Sequence, residues 1–400
     1  MPEYNAPGIY IVEENTGARP IQAVGTSTAG FVGEAPAATA ELDKAVAVNG
    51  WSQFMRIFGP QGPAKALKGN VLANAVYGFF LNGGSRCYIV NASASADLRK
   101  ALELLSVIDE IAIIAAPGRT TKADYLALIA AAENTKDRVA VLDGPPSSVD
   151  LQALVGDAPP APAGDSGPDA SAGKGKPRAI EGPPGSERGY AAYYFPWLTV
   201  SDAITNEEVS MPPSGHVAGI YARTDAERGV HKAPANATVR GALNVTQQIA
   251  RADQELLNPK GLNCLRFFTG EGVKVWGART LATSDSNWRY LNVRRLFNMI
   301  EESIAESTRW VVFEPNDATL WKAIRRDVGA FLTVLWRQGA LQGSTPQEAF
   351  FVKCDAETNT QDDIDAGRVV TVIGIAPVKP AEFVIFRIGQ SAGATSVAAA

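Results

Sequence analysis

The chain has 400 residues, which exceeds the usual size of a single hydrophobic core, so two domains are the default expectation. Apolar residues make up 46% of the sequence, enough for a packed core, whereas charged residues make up 20% and the formal net charge is -5. No global basic field is available to recruit nucleic acid or an anionic membrane surface, which argues against DNA binding as a main role.

The cysteines and the N-terminal sequence indicate the kind of compartment in which the chain is made. Cys87, Cys264 and Cys354 are far apart and form neither a disulfide framework nor a Cys-x-x-Cys metal pair. We therefore expect buried thiols in a protein made in a reducing compartment. The N-terminus has no charged start followed by an apolar run, and no stretch approaches 18 consecutive apolar residues. These patterns predict a soluble chain with no cleaved signal and no membrane insertion.

The first predicted element is a strand in the short segment 1–20, which is too rich in Pro and Gly to form a domain. A lone terminal strand needs a partner. It can pair within its own chain, which the sequence by itself favours, or it can add to a neighbour's sheet through main-chain hydrogen bonds. The strand consists of Ile9, Tyr10, Ile11 and Val12.

Short apolar strands alternate with amphipathic helices up to residue 142. This alternation implies parallel pairing with right-handed crossovers, so the segment is predicted to form an α/β layer. Strands are predicted at 23–33, 87–90, 111–115 and 139–142, a short aromatic segment at 51–58, and helices at 70–81, 96–106 and 123–134.

An α/β layer raises the hypothesis of nucleotide binding, which the loops do not support. The loop 91–95 holds no glycine that would let the backbone cradle a phosphate. Gly167, Gly173 and Lys174 imitate a P-loop, but five residues separate the glycines instead of four, and no Ser or Thr follows the lysine. Residues 145–188 are dominated by Pro, Gly, Ala and Asp, which predicts an exposed, mobile insertion.

The second half of the chain continues the mixture of helices and strands. A polar turn at 283–286 is predicted to start a helix that places Leu296, Met299, Ile300 and Ile304 on one face. The other predicted helices are 213–228, 237–257 and 320–335, and the predicted strands are 190–200, 273–281, 310–313 (buried), 352–355, 369–375 and 382–388.

Two of these elements have faces that call for a partner. The helix 320–335 carries Lys322, Arg325 and Arg326 opposite its apolar face, which fits a solvated face and a contact with an acidic partner surface equally well. Alternation in the last strand puts Phe383 and Ile385 on one side and Val384, Phe386 and Ile388 on the other. Both sides are apolar, so both need to be covered by other parts of the protein or by a partner.

The residues that could carry chemistry do not form a recognisable site. The segment Gly25–Gly30 is one residue too long for a nucleophile elbow, and neither His216 nor His231 has a motif around it. We expect structural or capping roles for both histidines.

A calcium loop is similarly excluded. Asp355, Glu357 and Asn359 resemble its first ligands, but Thr360 replaces the required glycine and Ala366 stands where the bidentate acid belongs. No catalytic, cofactor-binding or metal-binding residue is predicted, and no cofactor is expected.

Several motifs resemble one family, the tail sheath proteins of contractile phage tails and related bacterial injection machines. The C-terminal core of that family is echoed by VWGARTL, WRYLNVRRLF and VVFEPND, all between residues 275 and 317. Further similarity lies in PPSGHVAGIYARTDAERGVHKAPAN, NPKGLNCLRFF, FFVKCDAETNT and APVKPAEFVIFRIGQ, and near the N-terminus in PGIYIVEE and VGTSTAGFVG. Residues from about 91 to 191 match in general pattern only.

The resemblance implies a mixed α/β fold with two parts. An N-terminal linker arm would cover 1–20, an outer α/β domain 21–255, an inner sheath-core domain facing a tube 256–380, and a C-terminal strand arm and tail 381–400. Both arms would complete β-sheets of adjacent protomers, and Lys322, Arg325 and Arg326 would contact the inner tube.

The resemblance also implies partners and a location. The partners would be further copies of the chain, an inner tube protein, and baseplate and tail-terminator or cap proteins. Assembly would take place in a bacterial cytoplasm, as part of a phage tail or an injection particle. The alternative is an enzyme on an α/β scaffold, with its site in the loops at Asn91 and at Pro117 and Gly118.

Overall fold

The computed structural model describes residues 20–60, 68–93, 96–148, 150–155, 182–283 and 286–383. The strands are β1 (Ala29–Gly33), β2 (Ala45–Val48), β3 (Cys87–Asn91), β4 (Ile113–Ala115), β5 (Val139–Asp143), β6 (Ala191–Phe195), β7 (Leu198–Ser201), β8 (Glu208–Met211), β9 (Ala237–Thr238), β10 (Ala242–Val245), β11 (Leu262–Phe268), β12 (Gly272–Val275), β13 (Phe350–Lys353) and β14 (Val372–Ile375). The helices are α1 (Trp51–Phe58), α2 (Val71–Leu81), α3 (Leu98–Ser106), α4 (Lys122–Thr135), α5 (Ser214–Arg228), α6 (Arg251–Leu257), α7 (Leu291–Ser307), α8 (Ala318–Arg337), α9 (Pro346–Ala349) and α10 (Gln361–Asp365).

A nine-stranded mixed sheet organises the α/β part, in the order β2-β3-β1-β4-β5-β6-β11-β12-β9. The six strands from β3 to β11 are parallel, whereas β2 pairs antiparallel with β3 at one edge and β12 and β9 close the other edge. The parallel strands read as continuous apolar runs because both faces of the sheet are covered. This mixed α/β architecture confirms the predicted fold class.

Helices cover both faces of this sheet. Side chains alternate along β1, so that Phe31 packs with α1, α2 and α5 on one face, and Val32 packs with α3 and α4 on the other. Phe31 and Phe79 of α2 meet edge to face with ring centroids 5.5 Å apart. The predicted alternation of strands and helices therefore produces three layers.

Helices α2 and α5 approach closely because glycines line their contact. A Cβ at Gly215 would lie 2.3 Å from the carbonyl oxygen of Ala75, and one at Gly219 would lie 2.4 Å from that of Phe79. A Cβ at Gly78 would lie 2.4 Å from the ring of His216. Side chains at these three positions would push the two helices apart.

The C-terminal part has its own apolar core. Residues of α7 and α8 pack together with the two-stranded antiparallel sheet β13–β14. Asp317 begins α8 by accepting hydrogen bonds from the backbone nitrogens of Thr319 and Leu320, both at 2.9 Å. The core consists mainly of Leu296, Met299, Ile300, Trp321, Ile324, Val328, Phe331, Leu332 and Leu335.

Two predicted elements are wrong, and a third begins later than predicted. Residues 237–257 form β9, β10 and only a short helix α6, because Gly241 adopts φ +83° and the β-branched residues around it favour strands. The buried strand predicted at 310–313 is the end of a 3₁₀ turn (Arg309–Val311) followed by exposed Val312 and Phe313. The helix expected to start at 283–286 begins at Leu291.

The position of β11 and β12 bears on the proposed domain division. The predicted inner domain, 256–380, includes residues 262–275, yet β11 pairs in parallel with β6, with Leu262 opposite Tyr193. These residues are therefore part of the nine-stranded sheet. The division into an outer and an inner part stays a prediction.

Candidate functional site

At the carboxyl ends of β5 and β3, next to the loops where the enzyme alternative placed its site, Asp143 and Asn91 bind other groups of the protein. The carboxylate of Asp143, at the end of β5, accepts hydrogen bonds from the backbone nitrogen of Ser214 (2.8 Å), the Ser214 hydroxyl (2.7 Å) and the backbone nitrogen of Gly118 (3.1 Å). Burial raises the pKa of Asp143 to about 6, against the lowering effect of these hydrogen bonds. Because Ser214 begins α5, Asp143 occupies the position at a helix N-terminus that a phosphate would need.

Asn91 is used in a similar way at the end of β3. Its side-chain oxygen accepts a hydrogen bond from the backbone nitrogen of Ala35 (2.9 Å), and its amide donates to the carbonyls of Ala37, Ala38 and Ala40. The side chain is fully buried and holds the 35–40 loop against the sheet. Asn91 and Gly118, which the enzyme alternative placed at its site, are therefore both held by contacts within the protein.

The described residues hold no group of three or more His, Cys, Asp or Glu side chains that could bind a metal ion. In the calcium-like segment, Asp355 accepts a hydrogen bond from the backbone nitrogen of Glu357 (2.9 Å), and Thr360 and Asp363 form a capping box at the start of α10. The acidic residues there terminate and start local structure.

The three cysteines are free and buried, as predicted from their spacing. Burial raises the pKa of the Cys87 thiol far above its ordinary value and that of Cys264 to about 12. Since the thiolate is the nucleophile and the metal ligand, neither thiol has the reactivity of a catalytic cysteine.

His216 is buried on the α5 face that packs against α2, and its Nδ1 atom has no hydrogen-bond partner. Burial lowers its pKa to about 4. The position agrees with the structural role predicted for it. His231 is half-buried, and its carbonyl oxygen accepts a hydrogen bond from Asn292 (2.7 Å).

Lys322, Arg325 and Arg326 lie on the outward side of α8, as the spacing predicts. Lys322 is exposed, Arg325 is half-buried, and Arg326 donates a hydrogen bond of 2.9 Å from Nε to the buried carboxylate of Asp327. The same helix ends with exposed Arg337, so its surface carries an excess of positive charge. The tube contact assigned to this face stays a prediction.

The N-terminal segment enters the structure along α7. The backbone nitrogen of Gln22 donates to the Ser307 hydroxyl (3.2 Å), and that of Val24 donates to the Ser303 hydroxyl (3.0 Å). The predicted arm strand lies outside the described residues; it consists of Ile9, Tyr10, Ile11 and Val12.

The described C-terminal segment ends next to a largely buried ion pair. The guanidinium of Arg279 donates two hydrogen bonds to the carboxylate of Glu382, at 2.9 Å and 2.7 Å, and Asn258 donates a third at 2.6 Å. The next residue, Phe383, is 72% exposed. The other predicted arm residues lie beyond the described part of the chain; they are Val384, Ile385, Phe386 and Ile388.

The two-stranded sheet β13–β14 has open edges within the described residues. Phe351 is 56% exposed and Val372 is 44% exposed, so apolar surface accompanies the unpaired backbone. The helices α7 and α8 cover one face of the ribbon, but no third strand pairs with it in the described part of the chain.

Sequence reasoning missed the pairing of Arg279 with Glu382. The two residues are separated by 103 positions, so local spacing carries no signal for it. Phe313 was also misplaced, because its apolar neighbours suggested a buried strand. Its fully exposed side chain on a backbone with φ +71° is a feature that only the fold reveals.

None of the helices in the described part of the chain is both long and apolar enough to span a bilayer.

Two family models match the sequence in succession. The phage tail sheath protein central domain matches residues 91–281, and the phage tail sheath C-terminal domain matches residues 283–391.

Curated relatives include tail sheath proteins of phages and a prophage. The putative prophage major tail sheath protein of Pseudomonas aeruginosa (strain UCBPP-PA14) is 29% identical over 199 residues, which are 48% of this chain and 49% of that protein. The tail sheath protein of Burkholderia phage BcepMu is 30% identical over 218 residues, covering 52% of this chain and 44% of the relative. The matched part of the chain thus spans about half the length of these relatives or less.

Solved structures match over nearly the whole chain. The sheath complex of an extracellular contractile injection system, PVC, in its contracted state has 30% sequence identity and a TM-score of 0.78, and the match covers 98% of this chain and 99% of that one. The helical sheath of the anti-feeding prophage in its contracted state has 32% identity and a TM-score of 0.74, covering 97% and 100% of the two chains.

Proposed function

The chain belongs to the phage tail sheath family, and from that premise we propose that it is a structural subunit of a contractile sheath. The subunits polymerise helically around an inner tube, and contraction of the sheath drives the tube through a target envelope. The observation that carries this proposal is the end-to-end match, at 30% identity, with a sheath in its contracted state. The subunit acts as a structural part and not as an enzyme.

The occupied carboxyl edge of the sheet supports this proposal over the enzyme alternative. Asp143 and Asn91 are committed to hydrogen bonds within the protein, where an α/β enzyme would bind its ligand. A groove of about 530 Å³ lies instead between the end of α5 and the helices α7 and α8. Residues of both parts of the chain line this groove, and they include apolar side chains together with Glu227, Arg228 and His231.

The terminal arms connect neighbouring subunits in this proposal. The strands at Ile9–Val12 and Phe383–Ile388 add to sheets of adjacent protomers, and the open edges of β13–β14 are a place where they fit. A head-to-tail contact whose rotation does not close produces a helical filament. At roughly 1 kcal/mol net for each backbone hydrogen bond, several bonds per arm keep the subunits connected while their bodies move.

Contraction needs no nucleotide in this scheme. The energy is stored during assembly, in a metastable long form that the tube and baseplate hold in place. Better packing of the bodies in the short form then drives the change. The partners are further copies of the chain, the tube protein, and baseplate and cap proteins, with assembly in a bacterial cytoplasm.

We propose that the particle is an injection particle or a simple phage tail. The PVC sheath, which matches over nearly the whole chain, belongs to an extracellular contractile injection system, whereas the curated phage sheaths match over about half of this chain. We propose that the part of the chain built on α7 and α8 is the inner domain and faces the tube.

Negative-stain microscopy of the purified protein tests the function. Striated hollow cylinders are expected, and a protein that remains monomeric under all assembly conditions and with the tube protein present would contradict the proposal. Deleting residues 1–18, or everything after Ala381, is expected to leave soluble protomers that form no tubes. Ordered sheaths from either truncated chain would overturn the role of that arm.

A further inference from the structure

The C-terminal segment between β14 and Phe383 is bound to the body at successive points. The backbone nitrogen of Ala376 donates to the carbonyl of Ala349 (2.8 Å), and that of Val378 donates to the carbonyl of Ala340 (3.3 Å). The carbonyl of Val378 accepts a further hydrogen bond from Asn292 of α7 (3.1 Å). Residues 376–382, which we call the strap, therefore cross the C-terminal core in an extended course.

The strap ends at Glu382, whose carboxylate accepts four hydrogen bonds. Arg279 donates two, Asn258 donates one, and the hydroxyl of Tyr290 donates the fourth at 3.2 Å. The Arg279 side chain is 10% exposed and that of Glu382 is 19% exposed. A bidentate guanidinium–carboxylate pair with this little solvent around it fixes both position and direction. We call these four side chains the Glu382 clasp.

The clasp is attached to the nine-stranded sheet. The backbone nitrogen of Arg279 donates to the side chain of Asn263 (2.7 Å), whose amide donates back to the carbonyl of Arg279 (2.8 Å) and also to the carbonyl of Tyr193 (3.2 Å). Asn263 is fully buried on β11, and Tyr193 lies on β6. A continuous path of hydrogen bonds thus runs from Glu382 to two central strands.

This path crosses the boundary between the two matched family domains. Asn258 and Arg279 lie within the central-domain match that ends at residue 281, whereas Tyr290 and Glu382 lie within the C-terminal-domain match. The strap therefore starts in the C-terminal core and is fastened to the α/β body. The following residue, Phe383, is 72% exposed and is the last residue that the structure describes.

We propose that the Glu382 clasp is the mechanical anchor of the C-terminal arm. A pull on the residues beyond Phe383 is transmitted through Glu382 and Arg279 to the nine-stranded sheet, and the two-stranded sheet β13–β14 is shielded from that load. Glu382 is thus a positioning residue that sets where the arm leaves the body. This inference rests on the proposed function, since it assumes that neighbouring subunits pull on the arm.

The first experiment measures the clasp in the unassembled chain. Amide hydrogen exchange is followed over residues 376–383 in the wild type, in Glu382→Ala and in Glu382→Gln. The Val378 amide is expected to exchange at least tenfold faster in Glu382→Ala, with a smaller increase in Glu382→Gln, which keeps the shape of the side chain. Glu357→Gln, a change of an exposed carboxylate in the same part of the chain, is the matched control and should leave that exchange unchanged.

The second experiment tests whether the clasp bears load in assembled tubes. Tubes assembled from each variant are diluted into a fixed concentration of urea, and their dissociation is followed by light scattering. Glu382→Ala tubes are expected to dissociate at least tenfold faster than wild-type and Glu357→Gln tubes, and Glu382→Asp is expected to recover part of the loss. A chain ending at Phe383 keeps the clasp without the arm, so its strap should exchange at the wild-type rate even though it forms no tubes.

Different results would overturn different parts of the proposal. Unchanged exchange in Glu382→Ala would show that the clasp does not hold the strap. Faster exchange with unchanged tube dissociation would show that the clasp bears no load. A wild-type protein that forms no tubes would contradict the proposed function alone, because the exchange experiment still decides whether the clasp fastens the strap.

Discussion

Arg295 of α7 binds Asp225 of α5 through two hydrogen bonds, of 2.9 Å and 2.6 Å, with both side chains at most 5% exposed. The same guanidinium donates to the carbonyl of Thr26 (3.0 Å), and the Thr26 hydroxyl donates to Asp225 (2.6 Å). The ring of Tyr221 lies 4.7 Å from the Arg295 guanidinium carbon. A helix of the α/β body, a helix of the C-terminal part and the N-terminal segment are joined in one buried network.

Breaking this ion pair is expected to be costly. Asp225→Ala leaves the Arg295 charge buried without its partner, which we expect to lower the free energy of unfolding by about 3–5 kcal/mol. Asp225→Leu combined with Arg295→Met removes both charges and should recover a large part of the loss. Chemical denaturation of the unassembled chain measures both effects.

An exposed pair provides the control for this prediction. Arg251 and Glu255 are 87% and 66% exposed, so Glu255→Ala is expected to change the free energy of unfolding by less than about 1 kcal/mol. Equal losses in Asp225→Ala and Glu255→Ala would contradict the importance of burial. A double variant as unstable as Asp225→Ala would show that the geometry of the network matters beyond its charge balance.

Acid is expected to weaken the fold through His216. Its pKa is lowered to about 4 by burial, from an ordinary value of 6.5, so the folded chain takes up this proton less readily than the unfolded chain. The stability that depends on neutral His216 is complete above pH 6.5 and is lost as the pH falls from 6.5 through 4. A shift of this size corresponds to about 3 kcal/mol. His216→Gln should remove this part of the acid sensitivity.

Protonation of Asp143 raises the stability of the fold as the pH falls, which is opposite to the effect of His216. The test therefore compares each variant with the wild type at the same pH. The pKa of Asp143 is raised to about 6, and its contribution to stability grows as the pH falls from 6 towards 4. Thermal melts of the wild type and His216→Gln at pH 7.5, 5.5 and 4.5 give the difference due to the histidine. His231→Gln, at a half-buried position, should have a smaller effect, and a larger one would refute the assignment to His216.

Phe313 combines a strained backbone with a fully exposed ring. At φ +71° a residue with a Cβ costs about 1–2 kcal/mol, and its side chain buries no surface that would be lost on substitution. Phe313→Gly is therefore expected to leave the free energy of unfolding unchanged or to raise it by up to about 1 kcal/mol, after the entropic cost of glycine.

Val312 is the matched control for this substitution. It is also exposed, but its φ of -66° is ordinary, so Val312→Gly should destabilise the chain by about 1 kcal/mol. A similar loss in both variants would contradict the strain argument. If Phe313→Gly melts normally yet assembles poorly, the exposed ring contacts another subunit or the tube.

The outward face of α8 can be tested by charge reversal. Arg326 holds the buried Asp327, so changing it would disturb the fold as well as the surface. Lys322→Glu with Arg325→Glu is the cleaner test, and it should lower co-sedimentation with the tube protein at least tenfold while leaving self-assembly intact. Because the attraction is electrostatic, raising the salt concentration should weaken wild-type attachment in the same direction. Unchanged attachment by the double variant would assign this face to solvent.

The sequence by itself determined the local structure of the α/β layer and the family. The helix Val71–Leu81 coincides with the helix predicted over 70–81, and the strands around it carry the continuous apolar runs of a sheet covered on both faces. Caps and periodicities act over a few residues, so a single sequence displays them. The helix α8 follows its apolar spacing for the same reason.

The tertiary structure decided what the local pattern leaves open. Trp310 to Phe313 has the composition of a buried strand, but no neighbouring strand pairs with it in the described chain, and Phe313 points into solvent. Arg279 and Glu382 meet across 103 residues, because the fold brings the strap back over the α/β body. Burial and long-range ion pairs depend on which elements pack together, and that information is distributed over the whole chain.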